Sequence, residues 1–185
     1  MLSGLRKPFR YAVFISGTGS TLQCLLEMQH QLEIGLVISN KTNAFGLLKA
    51  KRFGKKCILL QNPIDYDLLQ KTLLEYRIDR LILAGFMKIL PSDFVDLWKE
   101  KIINIHPSLL PLYPGLDAAE RSWNDQSPMG VSIHHVNAQM DEGKIFLQQT
   151  ALDQLSISNM NFKDSELFLR RTEQHLLREL VLRWQ

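Results

Sequence analysis

The chain has 185 residues, a length that suits one domain with a core large enough to fold unaided. Hydrophobic residues make up 45% and charged residues 22%, an ordinary globular composition that excludes the disordered and fibrous classes. The formal net charge of +3 suits phosphorylated or carboxylated small molecules and does not by itself indicate nucleic acid.

The compartment is predicted from two features of the sequence. Cys24 and Cys57 form no CxxC pair and have no metal-ligand spacing, so a reducing compartment is expected. The N-terminal segment is short and basic, and the apolar run Tyr11–Ile15 that follows is too short for a signal-peptide core or a membrane span. We therefore expect a cytoplasmic protein with no membrane partner.

Short apolar runs alternate with helical patterns, which predicts an α/β fold, with a Rossmann-like, mostly parallel sheet flanked by helices. The predicted strands are Tyr11–Ser16, Ile34–Ser39, Cys57–Leu60, Arg80–Ala84, Ile102–His106, Val131–Val136 and Lys144–Thr150. The predicted helices are Thr21–Gln29, Phe45–Phe53, Tyr66–Tyr76, Ser92–Trp98 and a long closing helix, Phe162–Trp184. No repeat or linker interrupts the pattern, so residues 1–185 are expected to form a single domain.

A glycine-containing loop follows the first strand and opens the first helix. Its residues are Gly17, Thr18, Gly19, Ser20 and Thr21. The glycines allow close backbone approach, the helix N-terminus offers free N–H groups to an anion, and the hydroxyls add donors. The loop lacks the third glycine of a dinucleotide fingerprint and the lysine of a P-loop, which disfavours a nucleotide-dependent dehydrogenase. Tight-turn geometry alone also explains such a loop.

A second group of polar residues predicts acyl-transfer chemistry. Asn104 and His106 lie two residues apart in a strand, so both side chains leave the same face. Pro107 and Ser108 then end the strand, and open α/β sheets bind their ligands at that end. Asp141, on a later loop, would reach the same crevice. An amide and an imidazole can donate hydrogen bonds to a developing oxyanion, while the acid keeps the charge and the proton in place. Each of the three residues also has an ordinary structural explanation on its own.

The segment Asn104–Pro111, continued by Tyr113-Pro114-Gly115-Leu116, resembles the signature of the folate-dependent formyltransferases. Within them, it is similar to the branch that formylates glycinamide ribonucleotide. Four further segments agree with that branch: Ile15–Gln23, Ser39-Asn40-Lys41 with Ala44-Phe45-Gly46, Leu83–Leu90, and Gly130–His134 running on to Asp141. The similarity extends from about Tyr11 to Gln149 and weakly into the closing helix.

This resemblance implies the formyltransferase fold and a reaction. A formyl group would pass from 10-formyltetrahydrofolate, a cosubstrate, to the amine of glycinamide ribonucleotide in de novo purine (IMP) biosynthesis. Asn104 and His106 would donate to the oxyanion, while Asp141 would raise the pKa of His106 and relay the amine's proton through water. We expect small-molecule substrates, no metal, no nucleic acid, and a monomer or homodimer.

The resemblance also implies the residues that bind the ribonucleotide. The loop of residues 17–21 would hold its phosphate, although Thr18 and Thr21 stand where the family often has Asn. In the closing helix, alignment on His175 places Arg171 and Gln174 where the family presents Gln or Lys and then Glu. Arg171 would pair with the phosphate, whereas Gln174 lacks the carboxylate that accepts from ribose hydroxyls. An equally open alternative is that this helix has diverged from the family pattern and that Arg171 is simply exposed to solvent.

The folate site implied by the resemblance has two parts. Backbone groups after the fourth strand would read the pterin edge, and the loop before Asp141 would close over the ring. The folate-binding residues would be Met87, Lys88, Ile89, Leu90, Asn104, Asn137, Ala138, Gln139, Met140 and Asp141. His134 matches a supporting histidine of the family, and His135 points to the opposite face of its strand.

Other functions remain open at this point. A sugar-nucleotide N-formyltransferase, or another amine formyltransferase, uses the same catalytic residues with a different amine. A methionyl-tRNA formyltransferase adds a basic C-terminal domain, and this chain ends at Gln185 without one. A non-catalytic ligand-binding paralogue would keep the fold without the activity, but the intact Asn104, His106 and Asp141 argue against it.

Overall fold

The computed structural model describes residues 8–184; most of the basic N-terminal segment (1–7) and the last residue, 185, lie outside the described residues. Within that range every predicted strand is present, and together they form one seven-stranded sheet. The strands are β1 (Arg10–Ile15), β2 (Glu33–Ser39), β3 (Cys57–Leu59), β4 (Arg80–Leu83), β5 (Ile102–His106), β6 (Met129–His135) and β7 (Ile145–Leu152). The helices are α1 (Ser20–Glu27), α2 (Phe45–Arg52), α3 (Tyr66–Glu75), α4 (Ser92–Leu97), α5 (Ala118–Asn124), α6 (Gln154–Ile157) and α7 (Phe162–Arg183).

The strand order β3-β2-β1-β4-β5-β6-β7 creates a crevice at the carboxyl ends of the parallel strands. The chain moves outward from β1 to β3 and then returns to place β4 on the other side of β1. Connections therefore leave β1 and β4 in opposite directions, which is where open α/β sheets bind ligands. Strands β1 to β5 are parallel, whereas β6 and β7 are each antiparallel to the preceding strand.

The sheet separates two apolar cores. Along β1 the side chains alternate, so that Val13 and Ile15 face one core while Ala12 and Phe14 face the other. The first core is covered by α1 and α7, and the second by α3 and α4. Because β1 is buried on both faces, the loop that follows it is anchored on a rigid element. No helix of residues 8–184 combines the length and apolarity needed to cross a membrane.

Two short helices, α5 and α6, were not predicted from the sequence. Helix α5 begins after Asp117, and Glu120 follows three residues later, which is a sequence signal for a helix start that the prediction did not use. In the structure the φ of Asp117 is 54°, left-handed, and its side chain makes no capping hydrogen bond. Helix α6 has four residues, too few to show an apolar period, although Asp153 caps it. The fifth strand has the predicted bounds, and the other predicted elements differ from the observed ones by at most two residues at either end.

The turn between β6 and β7 requires glycine at position 143. A Cβ atom built there would lie 1.6 Å from the carbonyl oxygen of His135, a backbone atom. We predict that Gly143→Ala lowers the free energy of unfolding by about 3 kcal/mol or more, because the turn must move. Gly54→Ala is the control: its φ of +66° is left-handed but its Cβ would meet nothing within 4 Å. That control should cost only about 1–2 kcal/mol. Urea denaturation measures both, and equal losses would contradict the prediction.

Candidate active site

The register of β5 and β6 brings the first polar residues together. Asn104 lies directly opposite His134 in the antiparallel pair, so their side chains share a face. The Asn104 amide nitrogen is 3.3 Å from Nε2 of His134. Nδ1 of His134 is 3.0 Å from the His135 carbonyl oxygen, which can only accept, so Nδ1 carries the hydrogen. Nε2 of His134 accepts from the Asn104 amide when it lacks a hydrogen, and donates to Asp141 when it carries one.

Asp141 completes this cluster and contacts every member of it. Its Oδ1 accepts from the Asn104 amide at 3.3 Å and lies 3.4 Å from His134 Nε2. Its Oδ2 accepts from the Gly115 N–H at 2.7 Å and lies 3.5 Å from Nδ1 of His106. The Asp141 backbone is left-handed, with φ of 57°, a conformation that is uncommon for non-glycine residues but that Asp adopts more often than most.

These contacts set the ionisation of Asp141. Burial alone would raise the pKa of this carboxyl group. The hydrogen bond to His134, the N–H of Gly115 and the nearby charge of His106 outweigh burial and lower the pKa to about 2. Asp141 therefore keeps its negative charge throughout the neutral range. Within residues 8–184, no group of three or more His, Cys, Asp or Glu side chains is arranged to hold a metal ion.

His106 is buried, and both of its ring nitrogens face oxygen atoms. Nε2 lies 2.8 Å from the Tyr113 carbonyl oxygen, while Nδ1 faces Asp141. Burial lowers the pKa of His106 below its usual 6.5, and this effect is larger than the opposing effects of the Tyr113 carbonyl and Asp141. Asp141 raises the pKa of His106 as expected, but burial outweighs this effect. The Tyr113 carbonyl can only accept, so Nε2 carries a hydrogen and donates to it.

The Tyr113 carbonyl is held in place by helix α5, which sequence reasoning missed. The Tyr113 hydroxyl donates to Asp125 Oδ2 at 3.0 Å, and the Arg121 guanidinium donates to the Pro114 carbonyl. Arg121 and Asp125 are spaced i, i+4, and this is the one sequence signal that could have placed both on the same helical face. The loop after β5 is thus tied to α5 on one side and, through Gly115, to Asp141 on the other.

The loop of residues 17–21 is supported by helix α2. Gly19 has φ of 68°, and a Cβ atom built there would lie 2.6 Å from Cα of Gly46, so the two backbones require glycine at this crossing. The Gly46 N–H donates to the Gly17 carbonyl at 3.2 Å, and the Lys49 ammonium donates to the Gly19 carbonyl, also at 3.2 Å. Lys49, unassigned from the sequence, therefore brings a positive charge to this loop.

Helix α7 presents a different residue to this loop from those expected. Arg171 and Gln174 lie on the exposed face of α7, and the Arg171 guanidinium is 5.9 Å from the ring centroid of Phe168 on its own helix. The contact with α1 is made by Glu173, whose Oε1 accepts from the Thr21 hydroxyl at 2.6 Å. One residue rotates a helix by about 100°, so a shift of one position changes which side chain faces the loop.

Ser16 joins three strand ends at the crevice. Its hydroxyl donates to Asn40 Oδ1 at 2.6 Å and accepts from the Met87 N–H at 2.8 Å. Its own N–H donates to the Gly85 carbonyl. The Met87 N–H is therefore already paired within the protein. Sequence reasoning gave no role to Ser16.

The other expected folate residues divide into two groups. Leu90 is buried in the second core beside Phe94, so its side chain does not line the crevice. The exposed residues are Met87, Lys88, Ile89, Asn137, Ala138, Gln139 and Met140. A cavity of about 240 Å³ lies beside Lys88, lined by Asn40, Lys41, Gln61, Asn62, Ile64 and Lys88.

Comparison with known proteins identifies the class. The chain belongs to the formyl transferase family, whose model matches residues 9–160. Within that class it is similar to the human trifunctional purine biosynthetic protein adenosine-3, at 41% identity in an alignment that covers 78% of this chain and 15% of that protein. Phosphoribosylglycinamide formyltransferase of Escherichia coli is 33% identical in an alignment that covers 93% of this chain and 84% of the relative.

Solved structures agree with this assignment. The crystal structure of phosphoribosylglycinamide formyltransferase from Anaplasma phagocytophilum has a TM-score of 0.83 and 35% identity, covering 91% of this chain and 82% of that one. The similarity inferred from the sequence motifs is confirmed, as is the α/β fold with its mostly parallel sheet. The chain spans only about 15% of the trifunctional human relative, so it is similar to one part of that protein.

The low pKa of Asp141 predicts how stability depends on pH. A folded-state pKa of about 2, against an ordinary 3.8, contributes stability that is present above pH 4 and is lost as pH falls through 2. The contribution is on the order of 2 kcal/mol. Urea denaturation of the wild type and Asp141→Asn should show a difference in unfolding free energy that shrinks by about that amount between pH 5 and pH 2. A difference that does not change with pH would contradict the ionised, hydrogen-bonded carboxylate.

Proposed function

We propose that this protein transfers the formyl group of 10-formyltetrahydrofolate to the amine of glycinamide ribonucleotide, a step of de novo purine biosynthesis. The observation that carries the proposal is the cluster of buried His106 with half-buried Asn104 and Asp141 beside a glycine-containing anion loop, in a chain of the formyl transferase family. We expect a single-domain monomer or homodimer that acts on small molecules in the cytoplasm and needs no metal.

Asn104 and His106 are proposed to stabilise the oxyanion. Attack of the amine on the formyl carbon turns the carbonyl oxygen into an oxyanion, which needs donors in fixed positions. The Nε2–H of His106 now donates to the Tyr113 carbonyl at 2.8 Å, and the formyl oxygen would replace that acceptor. The Asn104 amide leaves the same face of β5 and supplies the second donor.

Asp141 is proposed to act mainly through its charge. The attacking nitrogen becomes positive as the new C–N bond forms, and an ionised carboxylate in a buried site stabilises that charge. With a pKa of about 2, Asp141 is a weak proton acceptor. The proton lost by the amine therefore passes through water to the folate nitrogen that leaves, while Asp141 keeps its charge and holds His106 in position.

The phosphate of the ribonucleotide is proposed to bind at residues 17–21. The N-terminus of α1 supplies backbone N–H groups, and the exposed Thr18 and Ser20 supply hydroxyls. Lys49 lies against the Gly19 carbonyl and adds a positive charge at the same loop. We assign the phosphate to these groups and not to Arg171 or Gln174, which lie on the exposed face of α7.

The folate is proposed to occupy the other side of the crevice. Met87, Lys88 and Ile89 are exposed after β4, and the turn of residues 137–140 is exposed opposite them. The cavity of about 240 Å³ is lined by Lys41 and Lys88, whose charges suit the carboxylates of a folate glutamate tail.

A formyl-transfer assay tests this proposal. Purified protein and 10-formyltetrahydrofolate are offered glycinamide ribonucleotide, an amino-sugar nucleotide and methionyl-tRNA in parallel. The proposal expects formylation of glycinamide ribonucleotide with the highest kcat/KM. Faster formylation of the sugar would move the assignment to the sugar-modifying branch, and no formylation of any amine would support a non-catalytic paralogue.

We predict that the catalytic cluster acts as one unit. His106→Ala should lower kcat by about 100-fold or more, because one oxyanion donor is lost, while folate binding is largely kept. Asp141→Asn should also be severe, because the site loses its fixed charge. His30→Ala, an exposed histidine, is the matched control and should behave as wild type. Near wild-type turnover in either cluster variant would show that this mechanism is wrong.

A second prediction concerns Lys49. Lys49→Met should raise the KM for glycinamide ribonucleotide roughly tenfold, as for a lost charge-assisted hydrogen bond, and leave the KM for the folate unchanged. Lys51→Met, an exposed lysine on the same helix, is the control for net charge. Equal effects of the two variants, or equal changes in both substrate constants, would remove Lys49 from the phosphate site.

A further inference from the structure

The contact between Thr21 and Glu173 places a carboxyl group directly behind the proposed phosphate loop. Thr21 lies in the first turn of α1, and its hydroxyl is 2.6 Å from Oε1 of Glu173 on α7. Thr21 is buried and Glu173 is half-buried where α1 packs against α7. A carboxylate in this position opposes the binding of an anion at the same helix N-terminus, so its presence needs an explanation.

The Thr21 hydroxyl has one hydrogen, which can be given to only one acceptor at a time. While Glu173 is ionised, that hydrogen must go to its carboxylate, and only the lone pairs of Thr21 remain for the loop. If Glu173 takes up a proton, its own O–H can donate to Thr21 Oγ1. The Thr21 hydrogen is then free to turn toward an anion at the loop.

We propose that Glu173 is a positioning residue of the phosphate site, which holds the Thr21 hydrogen while ionised and releases it to the bound phosphate when Glu173 takes up a proton. This inference rests on the proposed placement of the ribonucleotide phosphate at residues 17–21. In this step Glu173 takes up one proton from solvent, and the Thr21 hydroxyl transfers its hydrogen bond from Glu173 to the phosphate. No covalent bond between heavy atoms is made or broken.

The surroundings of Glu173 favour proton uptake. Burial raises the pKa of Glu173 above its usual 4.5, and this exceeds the opposing effects of the Thr21 hydrogen bond and the charge of Arg170 on its own helix. On α1, Cys24 is a neutral neighbour, because burial and the nearby Glu173 raise its pKa to about 11. On α2, the Lys49 ammonium is directed at the Gly19 carbonyl. A bound phosphate adds negative charge and raises the pKa of Glu173 further.

Because Glu173 must take up a proton when the ribonucleotide binds, binding to the wild type should weaken as pH rises. At a pH low enough for Glu173 to be protonated in the free protein, Glu173→Gln should bind glycinamide ribonucleotide as the wild type does. The glutamine amide can donate to Thr21 as the protonated acid does. As pH rises, the wild type must take up a proton to bind, so its Kd should rise relative to that of Glu173→Gln. The ratio should reach about tenfold or more, as for one hydrogen bond to a charged group.

Isothermal titration calorimetry with glycinamide ribonucleotide tests this from pH 4.5 to pH 8. Runs in two buffers of different ionisation enthalpy give the protons taken up on binding. The phosphate's own ionisation near pH 6 is the same for every variant and cancels in the comparison. Wild type and the control Glu166→Gln, an exposed position near the start of α7, should take up more protons than Glu173→Gln. Identical proton uptake in wild type and Glu173→Gln overturns the proposal.

Variants of Thr21 separate this transfer of the Thr21 hydrogen bond, called the relay below, from simple charge repulsion between Glu173 and the phosphate. Thr21→Ser keeps the hydroxyl and should keep the wild-type pH profile. Thr21→Val keeps the shape without the hydroxyl, so Glu173→Gln should bring no gain in that background. A gain of the same size with Val at position 21 overturns the relay. Absence of formyl transfer together with proton-linked binding would refute the proposed function alone, whereas transfer without proton linkage would refute the relay alone.

Discussion

The Asp141 carboxylate connects parts of the chain that are far apart in sequence. It accepts from the Gly115 N–H in the loop after β5 and from the Asn104 amide within β5, and it faces histidines from β5 and β6. A buried carboxylate is stable only when donors surround it, so these contacts fix the loop, the strand pair and the turn relative to one another. The left-handed backbone of Asp141 and the glycine at position 143 allow the turn to bring the carboxylate there.

The two ends of the crevice are built differently, one from side chains and the other from backbone. At the proposed catalytic end, His106 is buried and the donors are already paired, so a ligand must replace an internal acceptor such as the Tyr113 carbonyl. At the proposed phosphate end, the backbone of α1 and the close approach of Gly19 to Gly46 form the loop, and exposed hydroxyls surround it. Rigid strands support both ends, since β1 and β5 both lie inside the sheet. Such preorganisation is what stabilisation of a transient oxyanion requires.

Much of this arrangement could be predicted from the sequence, for identifiable reasons. The alternation of short apolar runs with helical patterns predicted all the strands found in residues 8–184. The two-residue spacing of Asn104 and His106 predicted that their side chains lie on one face of the strand. The cross-strand partner of Asn104 could not be predicted, because the register between β5 and β6 depends on tertiary pairing. Helix α5 was missed although Asp117 and Glu120 mark its start in the sequence, and the facing residue of α7 depends on a rotation of about 100° per position. The net pKa of His106 depends on burial, which the motif does not contain.

A crystal structure with glycinamide ribonucleotide and an unreactive folate bound together would test the central claim most directly. The account predicts the amine of the ribonucleotide and the folate nitrogen on either side of the face that carries Asn104 and His106. It also predicts the phosphate at residues 17–21, and an oxygen of the folate analogue in place of the Tyr113 carbonyl on Nε2 of His106. If both ligands are bound while His106 still donates to Tyr113 and the reacting groups lie away from Asn104, the account of this site is contradicted.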